Sequence, residues 1–120
     1  DAAIEHFGRA VELQPDFAAA HLQLADALRK KEEFALAMEH YHAALQTNPD
    51  FIQAYTGLMQ TQNLANQPED AVVSARRAIE VARATGQLEV ASQIEEWLDH
   101  YQTELRRRAE PQVVPAAPHN

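Results

Sequence analysis

The chain has 120 residues, with 10 Lys plus Arg against 18 Asp plus Glu, 46% hydrophobic residues, 3 Gly, 6 Pro and no Cys, a composition that suits one small globular domain. The absence of Cys excludes a disulfide framework, a thiolate metal site and a cysteine nucleophile, but does not choose a compartment. A net charge of -8 argues against general nucleic-acid or anionic-membrane binding, because that binding comes from Lys and Arg neutralising phosphates.

Residues 51–68, the longest stretch without a charge, contain Gln53, Gln60, Gln62, Asn63, Asn66 and Gln67 and are too polar to insert in hydrocarbon. No basic-then-apolar leader opens the chain, so the compartment stays open, with the cytoplasm as the default.

The first expected element is a helix over Ala2–Leu13, with Ala3, Phe7, Ala10 and Val11 as its apolar stripe. Pro15 stops it by pushing Gln14 out of helical geometry, and Asp16 is placed to cap the next helix. That helix carries Leu24, Ala27 and Leu28 on one face, and the one after it carries Ala37, Tyr41, Ala44 and Leu45. Pro49 ends the pair, and Asp50 with Gln53 three residues on forms a capping box for a fourth helix. A long fifth helix ends at Gly86 in a left-handed turn.

Over residues 87–107, Leu88, Ala91, Ile94, Leu98, Tyr101 and Leu105 make one apolar stripe beside Glu89, Gln93, Glu95, Glu96 and Asp99. This is the pattern of a helix that covers the end of a stack and turns its acids to solvent. Arg106, Arg107 and Arg108 fall in its last turn and complement the helix dipole. Trp97 is expected to cover the preceding pair, and Arg76 and Arg77 to form ion pairs on an outer face. Residues 110–120, with Pro111, Pro115 and Pro118, read as an extended tail lying along its own or a neighbour's helices.

An internal repeat organises these helices. Pro15-Asp16-Phe17 recurs 34 residues later as Pro49-Asp50-Phe51, and residues 1–17 laid over 35–51 match at seven of 17 positions, including Ala3 with Ala37, His6 with His40 and Ala10 with Ala44. Another step of 34 places Ala71 and Ala78 under Ala37 and Ala44, but Ala75 stands where Phe7 and Tyr41 stood. Each helix is too short to be stable alone; the alanines allow close backbone approach, and one aromatic per repeat fills the space between.

This register resembles the tetratricopeptide repeat. The marker residues of that family's first helix fall here on His21, Leu24, Ala25 and Leu28, and those of its second on Ala37, Tyr41, Ala44 and Pro49. In the third copy Tyr55, Leu58, Met59 and Gln62 fill the first-helix sites. The resemblance implies an all-α, right-handed α-solenoid of antiparallel helix pairs with a C-terminal capping helix. It divides residues 1–108 into the second half of a repeat (1–17), a full repeat (18–51), a divergent repeat (52–86) and the capping helix (87–108), with the tail following.

The chain opens, in this register, on a second helix whose first helix would precede it, so it reads as the C-terminal part of a larger repeat protein. The exposed flank of the first helix is expected either to fray or to self-associate.

No constellation for chemistry accompanies the repeats. His40 and His42 point about 200 degrees apart on a helix. His6 and His40 are repeat equivalents without a third ligand, and His21 sits at a core position. There is no Gly-rich phosphate loop, nucleophile elbow or His-Glu-x-x-His pattern, and Ser74 and Ser92 are the only serines. Catalytic residues, cofactors and metals are therefore expected to be absent.

What remains is a binding surface. In this family the first helices of successive copies line a concave groove, and its ligand-meeting positions fall here on Ala19, Leu22, Asp26, Arg29, Lys30, Gln53, Thr56, Gln60 and Asn63, with Leu64 beside them. The family's clamp for chaperone C-terminal carboxylates uses Lys, Arg and Asn, whereas Gln53, Thr56 and Gln60 supply no cation. The expectation is a protein or peptide partner held as an extended segment by side-chain hydrogen bonds and a few apolar pockets. The alternatives are a self-assembly scaffold and a regulatory appendage of an enzyme domain elsewhere in a longer chain.

Overall fold

A computed structural model describes residues 1–111, so nearly all of the tail expected over residues 110–120 lies outside the described residues. Six helices follow one another: α1 (Ala2–Leu13), α2 (Ala18–Lys30), α3 (Phe34–Thr47), α4 (Ile52–Leu64), α5 (Pro68–Ala84) and α6 (Leu88–Ala109). Each packs on the next along the chain, and the one approach that skips a helix is that of α2 to α4. The fold is an all-α helical repeat stack, in which helices too short to stand alone are stabilised by their neighbours.

Proline places two of the helix ends as expected. Gln14 and Asn48, each before a Pro, leave helical geometry at φ -136, ψ 82 and φ -133, ψ 91. The caps differ from expectation. Phe17 and Phe51, not Asp16 and Asp50, are the N-caps of α2 and α4, and neither makes a side-chain cap hydrogen bond. The reason is a turn: the Phe17 and Phe51 N–H groups donate to Gln14 and Asn48 carbonyls at 3.0 and 3.1 Å, so each helix begins one residue later than an Asp cap would start it. Asp50 N–H donates to Asn48 Oδ1 at 3.2 Å, and no capping box forms with Gln53.

The other three internal ends share one motif. Glu33, Gln67 and Gln87 N–H groups reach back to the carbonyls of Leu28, Gln62 and Ala82 at 2.9, 2.8 and 2.7 Å, around a left-handed residue: Glu32 (φ 63), Asn66 (φ 60) and Gly86 (φ 78). Only the Gly was legible as a helix stop. At the start of α5, Pro68 takes the first-turn position where its missing N–H does no harm.

Two hydrophobic clusters share α4. The first joins Leu22, Leu24, Ala25 and Leu28 of α2 to Ala37, Tyr41 and Ala44 of α3 and to Ala54 and Leu58 of α4. The second joins Met59 of α4 to Ala75, Ala78, Ile79 and Ala82 of α5 and to Ala91, Ile94 and Leu98 of α6.

Leu88, expected in the stripe of α6, is instead 65% exposed at the helix start. Glu89, Gln93, Glu96 and Asp99 face solvent, while Glu95 pairs with Arg83 of α5. Trp97 is half-buried, packs against the second cluster and stacks on Tyr101 with ring centroids 4.7 Å apart. At the other end α1 packs on α2 alone and has no buried residue, so Ala3 and Ala10 are half-covered where their repeat equivalents Ala37 and Ala44 are sealed.

Tyr41 is fully buried, and its ring lies against the backbone of α4 at Gly57: a Cβ built there would come within 2.4 Å of Cε1 and 2.8 Å of the hydroxyl oxygen. Gly57→Ala gains roughly 1 kcal/mol of helix propensity but collides with a ring that has no room to move, and overpacking costs ~1–3 kcal/mol. The variant is therefore expected to be less stable in chemical denaturation. Glu32→Gly is expected to raise stability by about 0.5–1 kcal/mol, because it relieves a left-handed residue with a Cβ at modest cost in backbone entropy; the same denaturation series reads it.

Candidate functional site

The nine residues expected to line a binding surface divide into four groups. Leu22 is buried among the first cluster, only 7% exposed, and is a core residue rather than a surface contact. Helical spacing does not separate a floor position from a wall position when the next helix pair covers it. Ala19, Lys30 and Asn63 are exposed on their own.

Asp26, Arg29 and Gln60 form one polar cluster across two repeats. Arg29 Nη1 donates to Gln60 Oε1 of α4 at 2.8 Å, and Arg29 Nη2 lies 3.7 Å from Asp26 Oδ1. Asp26 also accepts a short hydrogen bond from the Tyr41 hydroxyl, so a side chain from α3 anchors the carboxylate on α2. Burial, then the bond to Asp26 and its charge, push the Tyr41 hydroxyl well above the ordinary tyrosine range, so it stays a donor. This role was legible only in part: a buried Tyr needs a partner for its hydroxyl, but the sequence does not say which.

Gln53 and Thr56 of α4 line a cleft of about 400 Å³ together with Asn48, Asp50, Phe51 and Ile52, and with Gln87 and Val90 at the start of α6. The α6 contribution was not anticipated. The Thr56 hydroxyl donates back to the Gln53 carbonyl at 3.1 Å.

A second polar arrangement joins α2 and α3. His21 is 6% exposed, as expected of a core position, and stacks on His40 with Nδ1···Nδ1 at 3.0 Å; its Nε2 lies 2.6 Å from the Pro15 carbonyl. A carbonyl only accepts, so His21 Nε2 carries a proton, and of the two facing Nδ1 atoms one donates and the other accepts. Burial and the neighbouring His21 hold His40 below the ordinary value of 6.5, against a smaller opposing pull from Glu39.

Among the described residues no group of three or more His, Cys, Asp or Glu could hold a metal ion, and no helix is long and apolar enough to cross a membrane. Arg76 and Arg77, expected in ion pairs, are exposed and in none among the described residues. Arg107 and Arg108 instead pair with Glu104 at 2.8 and 3.2 Å.

Residues 18–61 match the family model described as tetratricopeptide repeat. The fold is similar to that of the TPR2B domain of yeast Sti1 in its pHsp70 complex, with a TM-score of 0.78 and 19% identity over 85% of this chain and 82% of that one. It is also similar to MamA protein, with a TM-score of 0.64 and 18% identity over 93% of this chain and 68% of that one. No curated protein sequence matches the chain. Residues 18–61 carry tetratricopeptide repeat sequence, and the described helices as a whole share the fold of these solved repeat structures.

The histidine pair generates a pH prediction. Above about pH 6.5 His40 is neutral whether the chain is folded or unfolded. As pH falls below that value the unfolded chain takes up the proton first, so stability declines until pH passes the lowered folded value of His40 and then levels with respect to this group. Between pH 7.5 and 5 the denaturation midpoint of His40→Gln is expected to move less than that of the wild type.

Proposed function

We propose that the chain is a non-catalytic protein-interaction module that holds an extended peptide segment along α2 and α4, with α6 closing the far end of the surface. The observation that carries this reading is the cleft at Gln53 and Thr56, about one turn along α4 from the Arg29–Gln60 bridge, which offers amides, a hydroxyl and the Asp50 carboxylate without a cation. Side chains of this kind exchange hydrogen bonds with a peptide backbone in either direction, which suits a segment read by shape and spacing.

The solved Sti1 domain was captured in a pHsp70 complex, which supports a protein ligand for this fold. The charge distribution here suits a neutral segment better than an acidic tail. Arg29 is already neutralised by Asp26 and held by Gln60, and α4 presents no Lys or Arg at all.

Selection of binders from a random peptide library tests the proposal. Peptides selected on the wild type are expected to lose about tenfold or more in affinity on a Gln53→Arg, Thr56→Arg double variant, which fills the cleft with two long charged side chains. Undiminished binding by that variant overturns the reading.

A second reading, self-association through α1, is favoured by the half-covered Ala3 and Ala10. It predicts a mass that rises with concentration in light scattering and falls back to the monomer with Phe7→Glu; a monomer at every concentration refutes it.

A further inference from the structure

The face of the stack opposite Gln53 and Gln60 carries a larger opening, a cavity of about 640 Å³ between α3 and α5 with α4 as its floor. This is within the range of volumes that small ligands and peptide side chains occupy. Its floor contains Gln62, at a site where the preceding repeat places the buried Leu28. An amide in place of an apolar side chain costs stability unless its polar atoms are satisfied.

Only one end of the amide is satisfied. Gln62 is 6% exposed and lines the cavity; its Oε1 accepts from the Ser74 hydroxyl at 2.7 Å, while its Nε2 has no hydrogen-bond partner among the described residues. A buried side chain that lines the opening thus keeps two donors without a partner among the described residues. Leu45 of α3 and Val73 of α5 form apolar walls above it, and Val73 is 53% exposed, which leaves that wall open to a ligand.

The rim adds charge of both signs. Asp70 and Arg77 both line the cavity from α5, and neither is in an ion pair among the described residues. They stand seven residues apart on one helix, about 10 Å along its axis at ~1.5 Å per residue. An extended chain advancing ~3.3 Å per residue covers that distance in three steps.

We propose that this cavity is a second binding site, for a short extended segment of a partner protein whose backbone carbonyl accepts from Gln62. An apolar side chain of the segment rests between Leu45 and Val73, while a basic residue and an acidic residue three positions apart pair with Asp70 and Arg77. The site is distinct from the surface of Gln53, Thr56 and Gln60, and does not depend on that surface binding anything.

The test uses the full chain labelled with nitrogen-15 and two acetylated, amidated tetrapeptides, Lys-Leu-Ala-Glu and its charge-reversed form Glu-Leu-Ala-Lys, followed by proton–nitrogen correlation spectra at millimolar peptide. The side-chain amide of Gln62 is visible directly in such spectra. Saturable shifts are expected there and at Val73 for one of the two sequences, with the other about fivefold weaker, since each exposed ion pair contributes little alone. An Asp70→Lys, Arg77→Glu double variant is expected to invert that preference; both positions are exposed, so the fold is retained. Gln62→Leu, checked for helix content, is expected to lose the shifts at Val73. Absence of saturable shifts at Gln62, shifts confined to Gln53 and Thr56, or a charge-swapped variant with unchanged preference would each overturn the proposal.

Discussion

The contact between the Tyr41 ring and the Gly57 backbone sets the spacing on which the rest of the stack depends. One sealed aromatic belonging to α3 fills the space beside α4, and its hydroxyl is held by Asp26 of α2. Three helices from two repeats are therefore positioned by a single side chain with one apolar and one polar attachment. A smaller residue at 41 leaves a void, and a larger one at 57 has nowhere to put its Cβ. The arrangement also governs the surface. Asp26 is held in place by Tyr41, and Arg29 is drawn to Asp26 and Gln60, which leaves Lys30 as the exposed cation among the nine residues.

The following repeat has no aromatic at the position equivalent to Tyr41. Ala75 takes the place of Tyr41, and the space is filled from the sides by Met59, Ile79, Ile94 and Leu98. Trp97, stacked on Tyr101, adds apolar area to α6, which buries one face against α5 and leaves acids and amides on the other. A second apolar face would expose a surface prone to association, and the polar outer face of α6 avoids one.

Because α4 belongs to both clusters, it presents two surfaces of opposite character. One edge carries Gln53, Thr56 and Gln60, side chains that hydrogen-bond within the surface or to whatever covers it. The other carries the half-satisfied amide of Gln62 under an apolar opening. A helix repeat is suited to this division, since every helix has a face left over once its neighbours on two sides are packed.

Much of the architecture was legible in the residues. The 34-residue register, the small residues at Ala37, Ala44 and Ala71, and the prolines before which Gln14 and Asn48 leave the helix are local or periodic signals, and the backbone obeys them. Where the reading of the helix ends failed, backbone hydrogen bonds within the connecting turns had decided. Asp16 and Asp50 do not cap because the turn closed by Phe17 and Phe51 delays the helix by one residue, and Glu32 and Asn66 take left-handed geometry that composition does not favour because the Leu28 and Gln62 carbonyls need a donor.

The proposed binding surface was legible only as a list of helix positions. Sequence spacing placed Leu22 beside Asp26 and Arg29, but packing of neighbouring helices buried the first and tied the other two to Gln60. Periodicity states which face of a helix a residue occupies. Only the arrangement of the neighbouring helices determines whether that face is floor, wall or open surface, because it depends on side chains such as Tyr41 that are distant in the chain.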